Sequence, residues 1–327
     1  MLVTPNFNLA ATMAFIDPFR AANYLEGTAR FRWVLSSPAG GPCLASNGVT
    51  VATQELSAVK DEAFDIVVVS TSWAPETART GPLLSSLRKW ARSGSIVGGL
   101  DTGAFILADA GLLSGRRATV HYEHIDAFKE LHDDIDVSED IFVRDDKRFT
   151  CCGGLAASDM ALHIIAASSS NALANATARY IFHPKLRPAG TSQNPAGAEP
   201  LGSTVPDTVR RTISIMQQHL ENALPIPELC ARTGISHRQL NRLFDRYIGK
   251  SPSLYYRDIR LDRARGLVTQ TDMLLSEIAI ASGFSSPALF SRAYRERFGL
   301  PPRTDRVEGR IPFEFRAWPL HRKSDVP

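Results

Sequence analysis

Residues 229–249 read Leu229-Cys230-Ala231-Arg232-Thr233-Gly234-Ile235-Ser236-His237-Arg238-Gln239-Leu240-Asn241-Arg242-Leu243-Phe244-Asp245-Arg246-Tyr247-Ile248-Gly249. Residues 278–299 repeat the plan as Ile278-Ala279-Ile280, Gly283-Phe284, Ser286-Pro287-Ala288, Phe290-Ser291-Arg292, Tyr294-Arg295 and Phe298-Gly299. The glycines after the first helical run lie 49 residues apart and the closing glycines 50 apart, so the copies are in register apart from one extra residue in the second turn. Each copy predicts a short helix, a glycine turn and a second helix. Gly234 and Gly283 suit the left-handed residue that ends a helix. Ser236 and Ser286 can accept the free amides of the next first turn. Leu240, Leu243 and Phe244 in one copy, and Phe290, Tyr294 and Phe298 in the other, share one helical face. The opposite faces carry Arg238, Asn241, Arg242 and Arg246, and Ser291, Arg292, Arg295 and Arg297.

That is the plan of a helix-turn-helix, whose second helix enters a DNA major groove. A solvated amphipathic bundle accounts for one such unit better than for two in register on a basic segment. Between the copies, Ser251-Pro252 opens a helix running to about Val268. A single connecting helix of that length would hold two recognition helices about one DNA turn, roughly 34 Å, apart. The residues facing DNA would divide by chemistry. Arg238, Asn241 and Arg242 suit paired hydrogen bonds to guanine and adenine. Pro287 and Ala288 suit thymine methyls, with Ser286, Ser291 and Arg292 beside them. Arg246, Lys250, Arg295 and Arg297 suit phosphates.

Ile226-Pro227-Glu228-Leu229, Gly249-x-Ser251-Pro252, Arg260-Leu261-x-x-Ala264 and the run from Ile278 to Gly299 closely resemble the AraC/XylS family of transcription regulators. The resemblance covers about a hundred residues and implies promoter DNA and RNA polymerase as partners.

Charge divides the chain in the same way. Residues 1–202 hold 17 Lys+Arg against 21 Asp+Glu, and residues 203–327 hold 20 against 13, so a net +3 hides a −4 half and a +7 half. The polyanion partner belongs to the second half. Four cysteines show neither zinc spacing nor a disulfide framework, which indicates a reducing cytoplasm. No apolar run reaches membrane-spanning length and no signal peptide is visible. No cofactor is expected.

The first half alternates strand and helix. Leu2-Val3 reads as the tail of a first strand, cut short or begun late. A helix from about Asn8 to Leu25 follows, then β-rich runs Phe31–Ser37, Val49–Thr53 and Ile66–Ser70, helix Pro82–Arg92 and strand Ser95–Leu100. Val67-Val68-Val69 is continuously apolar, as in a strand covered on both faces. The expectation is an α/β, flavodoxin-like layered sheet domain over residues 1–183, a linker over 184–206, an all-α domain with two helix-turn-helix motifs over 207–306, and a tail over 307–327. Gly98-Gly99-Leu100-Asp101-Thr102-Gly103 predicts a sharp strand-to-helix elbow that presents Asp101 at the carboxyl edge of the sheet. A basic strand, 116–120, delivers His121-Tyr122-Glu123-His124. A hairpin forms around Asp145-Asp146, and helices cover Ala156–Ala167 and Asn171–Phe182.

Asp17-Pro18-x-Arg20-x-Ala22-Asn23, Gly103 to Gly115, Ala118-Thr119-x-His121 and Gly153-Gly154 resemble the DJ-1/PfpI, class I glutamine amidotransferase-like domain. That domain forms the sensor half of the GlxA-type AraC regulators. Relatives of this fold imply a homodimer. Enzymes of the superfamily place cysteine at the elbow with a histidine partner. Here Asp101 stands at the elbow and His121 in the partner's place, so acyl transfer by the usual thiolate route is lost and no enzyme is expected, a hydrolase or amidase of that superfamily being the less favoured alternative.

An Asp101 carboxylate at a helix N-terminus should stay ionised. With Thr102 beside it and Trp73, Phe105, His121 and Tyr122 near, it suits a small cationic amine held against aromatic faces. The same residues also fit a plain helix cap with core or interface aromatics. Residues 5–24, Gly99 to Gly103, Thr119 to His124, Cys151 to Gly154 and Arg179 to His183 resemble the regulators of glycine betaine, carnitine and related methylamine catabolism. That resemblance implies activation by glycine betaine, dimethylglycine or carnitine. Relatives of the same architecture that sense arginine or another amino acid are the alternative.

Overall fold

A computed structural model describes residues 1–73, 75–193 and 205–308. They divide into two compact units, one within Met1–Gln193 and one within Asn194–Ile311.

The first unit runs β1 (Leu2–Val3), α1 (Leu9–Glu26), β2 (Ser36–Ser37), β3 (Gly41–Leu44), β4 (Thr50–Glu55), α2 (Leu56–Val59), β5 (Ile66–Thr71), α3 (Gly81–Arg92), β6 (Ile96–Asp101), α4 (Gly103–Asp109), β7 (Arg117–Ala118), α5 (Ile125–Leu131), β8 (Asp136–Val137), β9 (Phe142–Asp145), β10 (Arg148–Cys151), α6 (Ala156–Ser168) and α7 (Asn171–Tyr180). The main sheet has the order β3-β4-β2-β1-β5-β6-β10-β9. Its interior pairs are parallel, and β3 and β9 close the edges antiparallel. The small sheet pairs β7 with β8.

Side-chain alternation along the strands builds two cores. Val67, Val69 and Val97 face a layer with Leu83, Leu87, Trp90, Phe105 and Phe128. Val68, Leu100 and Phe149 face the other layer, with Phe15, Phe19, Met160 and Ile165. Covering both faces is what a continuously apolar strand requires.

Three expectations change. Of the run Phe31–Ser37 only Ser36–Ser37 is strand. A ladder needs a neighbour, and β1 offers only Leu2 and Val3 for pairing. A cavity of about 740 Å³ opens there, between Phe31, Trp33, Phe64 and Trp90. The basic strand at 116–120 is two residues long and lies outside the main sheet. The segment expected to start a linker at residue 184 is tied to the first unit as far as Gln193. The fully buried Asp159 accepts from the backbone N–H of Arg187 at 2.8 Å, from its guanidinium at 2.6 Å, and pairs with His183 at 2.8 Å. Ile141 donates to the Thr191 carbonyl, and the Gln193 side chain donates to that of Val120. The rest of the linker, residues 194–204, and the tail beyond Glu308 lie outside the described residues.

The second unit is helical: α8 (Asp207–Gln218), α9 (Ile226–Thr233), α10 (His237–Ile248), α11 (Pro252–Gln270), α12 (Leu275–Ala281), α13 (Pro287–Phe298) and α14 (Pro302–Glu308). It has two cores. One joins α8, α9, α10 and Tyr256, and the other joins Leu261, Leu267, α12 and α13. Among the described residues no helix is long and apolar enough to cross a membrane.

Candidate functional site

The elbow between β6 and α4 is built as the glycines imply. Asp101 has φ +61°, the left-handed region that a side chain seldom adopts. A Cβ on Gly99 would meet the Gly103 carbonyl carbon at 2.7 Å, and one on Gly103 would meet the Val69 oxygen at 2.5 Å. Only glycine allows so tight a reversal.

Asp101 is 4% exposed. Its Oδ2 accepts the Asn8 amide at 2.6 Å, and the Ser72 side chain also bonds to it. Gly153 closes over its Cβ. Burial pushes the carboxyl up to about 6, against the pull of the nearby His121 ring and the Asn8 hydrogen bond. Burial thus works against the ionisation expected of a carboxylate at a helix terminus. The helix behind it has seven residues, and loss of solvent outweighs its dipole. At pH 7 the carboxylate is still mostly charged, with little margin.

Two of the expected ligand contacts are buried. Phe105 is buried in the core, ring to ring with Phe128 at 4.8 Å. Thr102 is fully buried and donates its hydroxyl to the Ser72 carbonyl. The other three gather. His121 stacks on Tyr122 at 4.5 Å, and both His121 and Trp73 have ring contacts with His124, at 6.1 and 6.4 Å. Tyr122 is 51% exposed, and Trp73 and His121 are half-buried. Sequence reasoning missed Asn8 and Ser72 as partners of the carboxylate. Asn8 is legible as the cap of α1, since its side chain accepts from Ala11, but its reach to Asp101 spans 93 residues.

Cys151 ends β10 beside Leu100 and is buried. Burial pushes its thiol well above the usual range. A thiol so held is protonated and supplies no thiolate to replace the missing elbow cysteine.

In the second unit the two helix-turn-helix copies form as the glycines and serines predict. Gly234 and Gly249 have φ +73°, Gly283 +74° and Gly299 +77°. Ser236 accepts from Gln239 at 3.2 Å and Ser286 from Leu289 at 3.3 Å, so the Ser286 oxygen caps its helix. Leu240 and Phe244, and Phe290 and Tyr294, are buried. Arg238, Arg242 and Arg246 on α10 are exposed, as are Pro287, Ala288, Ser291, Arg292 and Arg295 on α13. Asn241 is half-buried and bonded to His237 at 3.1 Å. Lys250 and Arg297 are not free cations. Lys250 bonds to Asp258 at 2.6 Å, and Arg297 pairs with Asp262 at 2.6 Å and Asp258 at 3.0 Å.

Residues 5–167 match the DJ-1/PfpI family, and residues 229–307 match the helix-turn-helix domain. The chain belongs to the AraC-type transcription regulators that carry a DJ-1/PfpI domain ahead of a helix-turn-helix DNA-binding unit, the GlxA type. It is 38% identical over 307 residues to the HTH-type transcriptional regulator CdhR of Pseudomonas aeruginosa, covering 94% of this chain and 90% of that one. It is 35% identical over 305 residues to the regulator GbdR of the same species, covering 93% and 83%. It is 33% identical over 301 residues to the regulator GlxA of Rhizobium meliloti, covering 92% and 93%. Sequence-specific binding to promoter DNA follows from that membership.

Proposed function

We propose that the first unit detects a small cationic amine of the glycine betaine, dimethylglycine or carnitine type at Asp101, and that binding changes how the helix-turn-helix unit engages its promoter. The observation that carries this reading is the buried carboxylate at a left-handed elbow, beside the aromatic cluster of Trp73, His121 and Tyr122. A carboxylate already desolvated attracts a quaternary ammonium strongly, because the ion pair forms in a low dielectric and the electron-rich faces of the Trp73 and Tyr122 rings add to it. The resemblance of residues 5–24 and 99–103 to regulators of methylamine catabolism points to the same chemical class. Activation of transcription, contact with RNA polymerase and a homodimeric state are parts of this proposal.

Calorimetry of the full chain against glycine betaine, carnitine, dimethylglycine and arginine tests it. The expected result is saturable binding of a methylated amine, weakened at least tenfold in Asp101→Asn. Affinity should fall about tenfold per pH unit below about 6, as the carboxyl takes up a proton. Equal affinity in Asp101→Asn removes the carboxylate from the reading. Binding of arginine in preference to every methylated amine selects the amino-acid alternative.

A further inference from the structure

We propose that Asp258 is the positioning residue that fixes the separation of the two recognition helices α10 and α13. The unit has two cores that part company along α11. Tyr256 belongs to the first core and Leu261 to the second. Asp258 lies on the four-residue stretch between them and is buried, at 7% exposure. Its Oδ2 receives Lys250 Nζ at 2.6 Å and Arg297 Nη1 at 3.0 Å.

The two cations come from the closing ends of the two second helices. Lys250 follows Gly249, which closes α10, and Arg297 sits in the last turn of α13, before Gly299. One buried carboxylate thus ties the carboxyl ends of both recognition helices to the connecting helix. Asp262, one turn further on, holds the same Arg297 guanidinium at 2.6 Å through each oxygen. A second tie lies at Arg260, which donates to the Gly283 carbonyl at 3.0 Å and sits over the rings of Tyr256 and Phe284, one from each core. Gly283 is close-packed there. A Cβ on it would meet the Leu220 and Glu221 carbonyls at 2.6 and 2.8 Å. Arg260 and Gly283 fix one contact line, and a single line leaves a rotation free. Asp258, with its two cations, supplies the second anchor that removes it.

The consequence is register on DNA. Two helices held at one spacing read two half-sites at one spacing, and inserting one base pair shifts a half-site by about 3.4 Å and turns it by about 35°. The proposal rests on both second helices meeting DNA, so the experiment separates the two ideas. A duplex is selected by the full chain from a random pool and remade with one and two base pairs inserted between the half-sites. The parent is expected to lose at least about tenfold in affinity per insertion, as for a lost base contact. Asp258→Ala and Arg297→Met are expected to bind the original duplex about tenfold more weakly, with an insertion penalty below about threefold.

Asp258→Ala takes the buried acceptor from Lys250 and leaves Arg297 with Asp262 alone, so thermal unfolding checks that it folds, and Arg297→Met carries the same test with the carboxylate still paired to Lys250. An unchanged penalty in both variants, with or without a uniform loss of affinity, overturns the positioning role. A uniform loss for Arg297→Met would instead mark an ordinary phosphate contact. No penalty in the parent itself overturns both the two-helix reading and the role built on it.

Discussion

At the scale of single residues, burial is what makes Asp101 unusual, and its direction sets a testable sign. The folded carboxyl titrates at about 6 against an ordinary value of 3.8. A carboxyl raised in the fold contributes stability below the unfolded value, and that contribution is lost as pH rises from about 4 through about 6. The difference corresponds to about 3 kcal/mol, with the lowering effect of the Asn8 bond already included. Asn at this position keeps an acceptor for Asn8, tolerates a positive φ and carries no charge. Asp101→Asn is therefore expected to be more stable than the parent by roughly 1–2 kcal/mol at pH 7.5, with little difference at pH 4. Unfolding temperatures across that range check it. Parallel curves for the two proteins would show that the carboxyl is not desolvated as described. A charge kept at the expense of stability fits a ligand contact better than a cap, since Thr102 and not Asp101 occupies the cap position.

At the scale of elements, the second helices of the two motifs expose arginines at different positions along their length. Arg238 is exposed on the first turn of α10, whereas Arg295 is exposed near the end of α13. Arg238→Ala is expected to cost about 1–3 kcal/mol on the preferred sequence and to relax selection at one or two bases. Arg295→Ala should weaken all sequences alike and lower the salt slope by about one. Binding-site selection with each variant measures this, and uniform loss for Arg238→Ala would remove it from the base-reading set. The same scale shows where local pattern stops being informative. Caps, glycine turns and amphipathic faces are local, so α10 and α13 could be placed from sequence to within a residue or so. Strand 31–37 shrank to Ser36–Ser37, because a ladder depends on a partner segment and not on β-propensity. The short edge strand β3, Gly41–Leu44, went unread for the same reason. Its Gly-Pro start carries no strand signal, and it forms by pairing with β4.

At the scale of the whole molecule, the break in charge near residue 202 separates a DJ-1/PfpI unit from a helix-turn-helix unit, but the stretch that belongs to neither is shorter than composition suggests. The residues from His183 to Gln193 read as linker because they hold prolines, glycine and polar side chains. Asp159, buried on α6, claims them through His183 and Arg187. Removing that carboxylate takes away the acceptor of the Arg187 guanidinium and the partner of the His183 ring. Asp159→Ala is expected to cost about 3 kcal/mol and to open residues 184–193 to limited proteolysis in the otherwise folded chain. An unchanged cleavage pattern would show that the segment is held by Gln193 and Thr191 alone.

What the sequence determined by itself was everything carried by near neighbours along the chain. That includes two helix-turn-helix copies in register, an alternating α/β half, a sharp elbow at Asp101 and a basic second half. Tertiary structure decided which polar groups lose their solvent and which cations find partners. It buried Asp101 under Gly153 and gave it Asn8, turned Phe105 and Thr102 inward, and took Lys250 and Arg297 from the DNA-facing set to hold α11. Those outcomes depend on contacts between residues up to about ninety positions apart, and desolvation and pairing are properties of the packed molecule and not of any stretch within it.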